Sequence, residues 1–89
     1  MRAIVTVIGE DRVGIIASVC SALSQQDVNV LDITQTVLGN YFTMIMLVDT
    51  EACTLPFADL ASLLENFGKE RALSIHMQRE DIFQAMHRI

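Results

Sequence analysis

The sequence predicts an α+β fold, a ferredoxin-like βαββαβ two-layer sandwich with an extra C-terminal helix. Three observations predict it. Short runs rich in Val, Ile and Thr alternate with two segments whose apolar residues recur at helical spacing. Gly39-Asn40 separates two of the strand-like runs and reads as a hairpin reversal. The chain of 89 residues has room for one domain and shows no internal repeat, low-complexity tract or linker. Right-handed crossovers then place both main helices on one face of a four-stranded antiparallel sheet. The domain is expected to span 1–89, with its core at 2–78 and the terminal helix at 79–89.

Taken in order, Arg2 to Ile8 is a strand by its content of Ile, Val and Thr. Val13 to Gln25 carries Ile16, Val19, Cys20 and Leu23 on one helical face, with Asp11 placed to cap the first turn. Val28 to Leu38 is a long strand. Gly39 supplies positive φ without a Cβ clash and Asn40 tolerates it, so Tyr41 to Val48 returns as the hairpin partner. Asp49 to Leu55 is loop. Pro56 suits a helix start, and Phe57, Leu60, Ala61, Leu64 and Phe67 form the next apolar stripe, which Gly68 can stop. Arg71 to Gln78 is the fourth strand. Arg79 to Ile89 reads as a short helix with Ile82, Phe83, Met86 and Ile89 on one side.

Two strands are apolar on both faces. Phe42, Met44, Met46 and Val48 alternate with Tyr41, Ile45 and Leu47, and Ala3, Val5 and Val7 alternate with Ile4 and Ile8. A sheet with one solvated face shows cleaner alternation. The face away from the two helices therefore needs cover, and the apolar side of the terminal helix, from the same chain or a neighbour, is the nearest candidate.

Composition narrows the function classes. The net charge is −5, and the six basic residues, Arg2, Arg12, Lys69, Arg71, Arg79 and Arg88, form no stripe that would track a phosphate backbone. Direct nucleic-acid binding is not expected. No apolar run reaches membrane-spanning length. Met1-Arg2-Ala3-Ile4 runs straight into a strand, so no signal peptide and a cytoplasmic location are the expectation. Cys20 and Cys53 form no Cys-x-x-Cys and read as buried or half-buried free thiols. His76 and His87 stand in different elements with no partner at metal-ligand spacing, and no metal or cofactor is expected.

The stretch from Ile8 to Gln35 holds the candidate site residues. A strand ends at Gly9, the acidic-basic tip Glu10-Asp11-Arg12-Val13 follows, and Gly14 opens a helix that leads to Asn29 at the next strand. Gly9 and Gly14 fit either a tight turn with close helix-sheet approach or backbone facing a ligand. Asp11 fits a cap, a contact to an ammonium group, or both. Arg12 fits a solvated tip or a carboxylate partner, for which its planar fork is suited. Asn29 fits a turn residue or a carboxamide offering donor and acceptor to a zwitterion. Asp32 and Gln35 lie on opposite faces of one strand, each exposed, at an edge, or used at an interface or ligand.

The pattern Gly9-x-Asp11-Arg12-x-Gly14-Ile15, with Asn29-x-x-Asp32-Ile33-x-Gln35-Thr36, resembles that of ACT domains, regulatory βαββαβ modules attached to many enzymes of amino-acid metabolism. The run Asp32 to Leu38, the strand Tyr41-Phe42-Thr43-Met44 and the tail Asp81 to Met86 resemble more closely the free-standing bacterial ACT proteins of an uncharacterised family. The resemblance covers essentially the whole chain and extends to the ACT domains of a glycine cleavage system regulator and of formyltetrahydrofolate deformylase. It implies a non-catalytic regulatory module that binds a small amino acid or related metabolite where two copies meet. It implies Gly9, Asp11 and Asn29 as ligand residues, with Arg12, Val13, Gly14, Asp32 and Gln35 around them. Asn29 matches the family pattern. Beside the serine-binding ACT domain of phosphoglycerate dehydrogenase, Asp11 stands where an asparagine would be and Gly9 where a histidine would be, and Val13 replaces a common proline.

The expected partners are a second copy of the chain, as a symmetric homodimer with a tetramer as the larger alternative, and a separate enzyme or regulator. One rival reading is a structural or interaction module without a ligand. A remote one is an acylphosphatase-like hydrolase using Arg12 with Asn29 or Asn40. Glu10 and Asp11 would repel its phosphoryl group, and the glycine-rich phosphate cradle is missing. A copper-chaperone reading fails because the first loop has no cysteine pair.

Overall fold

The computed structural model describes residues 1–10 and 14–81. Their elements are β1 (Arg2–Glu10), α1 (Ile15–Gln25), β2 (Asn29–Leu38), β3 (Tyr41–Asp49), α2 (Phe57–Glu70) and β4 (Ser74–Arg79). The sheet order is β2-β3-β1-β4, with every neighbouring pair antiparallel. This is the ferredoxin-like two-layer sandwich. A helical turn begins at Glu80 and Asp81. The rest of the expected terminal helix, with Ile82, Phe83, Met86 and Ile89, lies outside the described residues.

One core lies between the helices and the sheet. Ala3, Val5 and Val7 of β1, Phe42, Met44, Met46 and Val48 of β3, and Ile75 and Met77 of β4 are buried on that side, against Val19, Leu23, Leu60 and Leu64. The alternate set on the central strands faces away from the helices. There Ile8 remains 43% exposed and Ile45 39%, so the two-sided apolarity of β1 and β3 is real and its outer half is incompletely covered.

Several boundaries differ from expectation, each for a physical reason. Helix α1 starts at Ile15, two residues late, with Gly14 in the left-handed region (φ 87°) as its N-cap; the expected cap Asp11 lies outside the described residues. Its buried face is Ile15, Val19, Ala22 and Leu23. Ile16 is exposed and Cys20 only half-buried, so the helix is rotated from the expected stripe. Gly39 carries the positive φ of the hairpin (60°) and Asn40 does not, which fits glycine at the first position of a two-residue type II′ loop. Strand β2 contains a bulge between Val30 and Asp32 that the sequence pattern does not announce.

Gly68 does not stop α2, which runs on to Glu70. A Cβ there would lie 2.6 Å from the Leu73 carbonyl oxygen and 2.9 Å from Ile75 Cγ1, so the glycine lets helix and β4 approach closely. The stop is a Schellman motif. Leu73 N–H donates to the Gly68 carbonyl (2.8 Å) and Ala72 N–H to that of Lys69 (3.4 Å), with Ala72 at φ 56°. The same motif ends α1, where Val28 N–H donates to Leu23 and Asp27 N–H to Ser24, with Asp27 at φ 58°. Residues 71–73 are thus a cap and turn, and β4 begins at Ser74 instead of Arg71. Arg71 closes the helix by donating to the Phe67 carbonyl (3.2 Å) with its guanidinium 3.8 Å above the Phe67 ring.

Candidate functional site

Of the candidate residues, Gly9, Gly14, Asn29, Asp32 and Gln35 are described, while Asp11, Arg12 and Val13 lie outside the described residues. Gly9 sits in β1 opposite Phe42, and Phe42 in turn is opposite Val37. A Cβ on Gly9 would come 2.4 Å from Leu73 Cδ2, the far end of a side chain that can turn aside, and no closer than 3.5 Å to backbone, so Gly9 packs against Leu73 without the space there demanding a glycine. Gly14 has open space around it and is set by its backbone angle. Gly14, as the N-cap, has no side chain to bond the first amides of α1, and the first turn of the helix has no acidic residue.

Asn29 begins β2 opposite Asp49, which is opposite Arg2. Arg2 and Gly9 are at opposite ends of β1, so one chain does not bring Asn29 beside the Gly9–Gly14 loop. Val37 is eight positions along β2 from Asn29, about 25 Å of strand. Asp32 lies towards the Asn29 end, opposite Leu47 on the outer face, and its Oδ1 accepts from the Ile33 N–H at 2.9 Å. Gln35 is opposite the core residue Met44, on the helix side of the strand, and yet exposed.

The reason for that exposure is the position of β2. It is an edge strand on which every residue but the half-buried Val30 is exposed, because α1 touches it lightly whereas α2 lies along β4. Ile33 and Val37 share the helix side with Gln35, and Val37 is 54% exposed. With Ile16 of α1 exposed as well, this edge presents apolar surface and a row of unpaired strand amides and carbonyls. Ile16, which helical spacing places on the core face, is exposed instead, whereas the exposed edge position of Asp32 and Gln35 is one of the settings their residue types admit.

Two depressions occur elsewhere. One, of about 150 Å³, lies on the outer face among Ile4, Asp32, Thr34, Ile45 and Leu47. The other, of about 280 Å³, lies along α2 and β4 by Glu65, Lys69, Leu73 and His76. There the His76 Nε2 and Ser74 Oγ are 3.1 Å apart and His76 Nδ1 is 4.0 Å from Glu65. Among the described residues no group of three or more His, Cys, Asp or Glu side chains gathers as a metal site would require, and Cys20 and Cys53 are free. No described helix is long and apolar enough to cross a membrane.

A family model described as "ACT domain" matches residues 2–78. A UPF0237 protein of Bifidobacterium longum is 50% identical over 99% of this chain and 98% of its own length. Among solved structures, an ACT domain protein from Streptococcus pneumoniae superposes with a TM-score of 0.84 at 39% identity, covering 98% of both chains. The regulatory subunit of aspartate kinase from Thermus thermophilus superposes with a TM-score of 0.67 at 25% identity, over 86% of this chain and 50% of that one.

Proposed function

Because the chain belongs to the ACT-domain family, we propose that it is a non-catalytic regulatory module that binds a small amino acid or related metabolite between two copies of itself. The observation that carries this reading is the separation of Asn29 from the Gly9–Gly14 loop along an open edge. A second copy set antiparallel against β2 carries its own Asn29 to the loop end of the first, and two-fold symmetry makes two such sites. The free apolar side chains of β2 and the exposed Ile16 support that placement.

Each site then has complementary chemistry for a zwitterion. Asp11 suits the ammonium, and Arg12 suits the carboxylate. The Asn29 carboxamide of the second copy offers both donor and acceptor. Gly14 sets the turn into α1. Gln35, two residues from Val37 on the helix side, is the candidate β2 residue nearest the loop within one copy, while Asp32 reaches the site from the second copy's side. Binding stiffens the pair of copies, and the signal passes to a separate enzyme or regulator.

One observation favours a second reading, an interaction module without a ligand. Gly9 packs against Leu73 and brings no side chain to a ligand. A thermal-shift screen over the amino acids and one-carbon metabolites separates the two, because a ligand of the folded state raises the melting temperature by mass action. We expect a hit, lost or weakened about tenfold or more in Asn29→Ala and Asp11→Ala, as loss of a charged or paired hydrogen bond of about 1.5–3 kcal/mol requires. A screen in which nothing shifts the melt favours the interaction module, and a hit that both variants retain places the site elsewhere.

A further inference from the structure

The cleft between α2 and β4 brings together a hydroxyl, an imidazole and a carboxylate that the proposed ligand site does not use. Ser74 and His76, two residues apart on β4, share its outer face, since Ile75 and Met77 are the buried set. Glu65 and Lys69, four apart, share one face of α2. β4 is an edge strand, and Gly68 lets α2 approach it closely. Both pairs therefore line one depression of about 280 Å³, beside the buried Leu73 and Ile75.

Ser74 Oγ lies 3.1 Å from His76 Nε2, and His76 Nδ1 lies 4.0 Å from Glu65 Oε1. The second distance is that of an orienting charge and not of a hydrogen bond. A carboxylate only accepts, so Glu65 favours the proton on Nδ1 and leaves the Nε2 lone pair to the Ser74 hydroxyl. Lys69, one turn along α2, is the ordinary partner for Glu65, yet Glu65 faces His76. Lys69 has no ion-pair partner among the described residues, so its ammonium is available to negative charge in the cleft. Ser74, His76 and Glu65 are all open to solvent, and a reagent can reach them.

We propose that Ser74 is a site of covalent acylation, with His76 as its base and Glu65 as the residue that positions the imidazole. The donor is an acyl group on a leaving group that departs as an anion, as in an acyl phosphate, a thioester or an aryl ester. Ser74 Oγ forms a bond to the acyl carbon while His76 Nε2 takes the hydroxyl proton. The bond from the acyl carbon to the leaving group then breaks, and the leaving group keeps the electron pair. The proton passes from Nε2 to the leaving group or to water. The Lys69 ammonium stabilises the charge on the carbonyl oxygen and on the departing anion. The product is a serine ester at the β4 edge, opposite to β2, so a second copy paired along β2 leaves the site open.

The test exposes the full chain to p-nitrophenyl acetate and locates the acetyl group by peptide mass spectrometry. The exposed Ser21 and Ser62 serve as internal references. Acetylation at Ser74 is expected to be about 100-fold faster than at either, the lower end of what a positioned base contributes, and His76→Ala should bring it down to their level at unchanged melting temperature. Glu65→Gln, which keeps an acceptor for Nδ1–H, should retain more of the rate than Glu65→Ala, with both variants as stable as the parent. Equal rates in those two overturn the part given to Glu65. An acetyl group on Lys69, Cys20 or Cys53 in preference to Ser74 overturns the proposal. So does a rate at Ser74 no higher than at Ser21 and Ser62, or one that His76→Ala leaves intact.

Discussion

The two edges of the sheet are built from similar strands and treated in opposite ways. At β4, helix α2 lies close enough that Gly68 has no space for a Cβ, and Ile75, Met77 and Leu73 are buried. At β2, helix α1 barely reaches the strand, and Ile33 and Val37, which point to the same side as the core, stay exposed. The difference teaches that burial here follows helix position and not strand composition. β2 is at least as rich in β-branched residues as β4, yet β4 is the sealed edge and β2 the open one. An open edge of this length, with a single acidic residue and no proline or lysine to blunt it, is a surface suited to pairing.

That contrast can be broken most forcefully at its sealed edge. Gly68→Ala forces a methyl group against the Leu73 carbonyl, a backbone atom that cannot rotate away. Overpacking of this kind costs about 1–3 kcal/mol, while the better helix propensity of alanine returns about 1 kcal/mol. A net loss of up to about 2 kcal/mol in chemical denaturation is expected, and a gain in stability would show that α2 and β4 are not so tightly joined.

A smaller effect of opposite sign is expected one turn later. Ala72 holds a left-handed conformation at the Schellman position where glycine is usual. Ala72→Gly should stabilise the chain by about 1 kcal/mol, since the left-handed strain of a Cβ outweighs the added freedom of the unfolded state. Equilibrium denaturation checks it. The combined variant with Gly68→Ala sharpens the comparison by showing whether cap and close approach act together or add.

The smallest effect on folding is expected at the open edge. Val37→Lys places a charge on an exposed strand residue, and folding stability should move by no more than about 0.5 kcal/mol. The same change should abolish association if copies pair along β2. Light scattering at micromolar concentration should give at least twice the chain mass for the parent and the single-chain mass for the variant. A variant that stays associated moves the interface away from β2.

The alternation of β1 and β3, the Gly39 reversal and the stripe Phe57, Leu60, Leu64 and Phe67 made the element order and fold legible in the sequence. Each of these signals comes from near neighbours along the chain, and the core that fills the sandwich follows from them. The spacing of Gly9, Gly14 and Asn29 likewise marked the segment that carries the candidate site. The roles of the glycines were decided in three dimensions. Gly68 looks like a helix stop but is a contact to β4, and Gly9 packs against Leu73 of the turn before β4. Both depend on an approach between segments that the local pattern does not encode. The tertiary structure also decided that Asn29 and the Gly9 loop stand at opposite ends of one subunit, because antiparallel register, not sequence distance, sets which residues share a row.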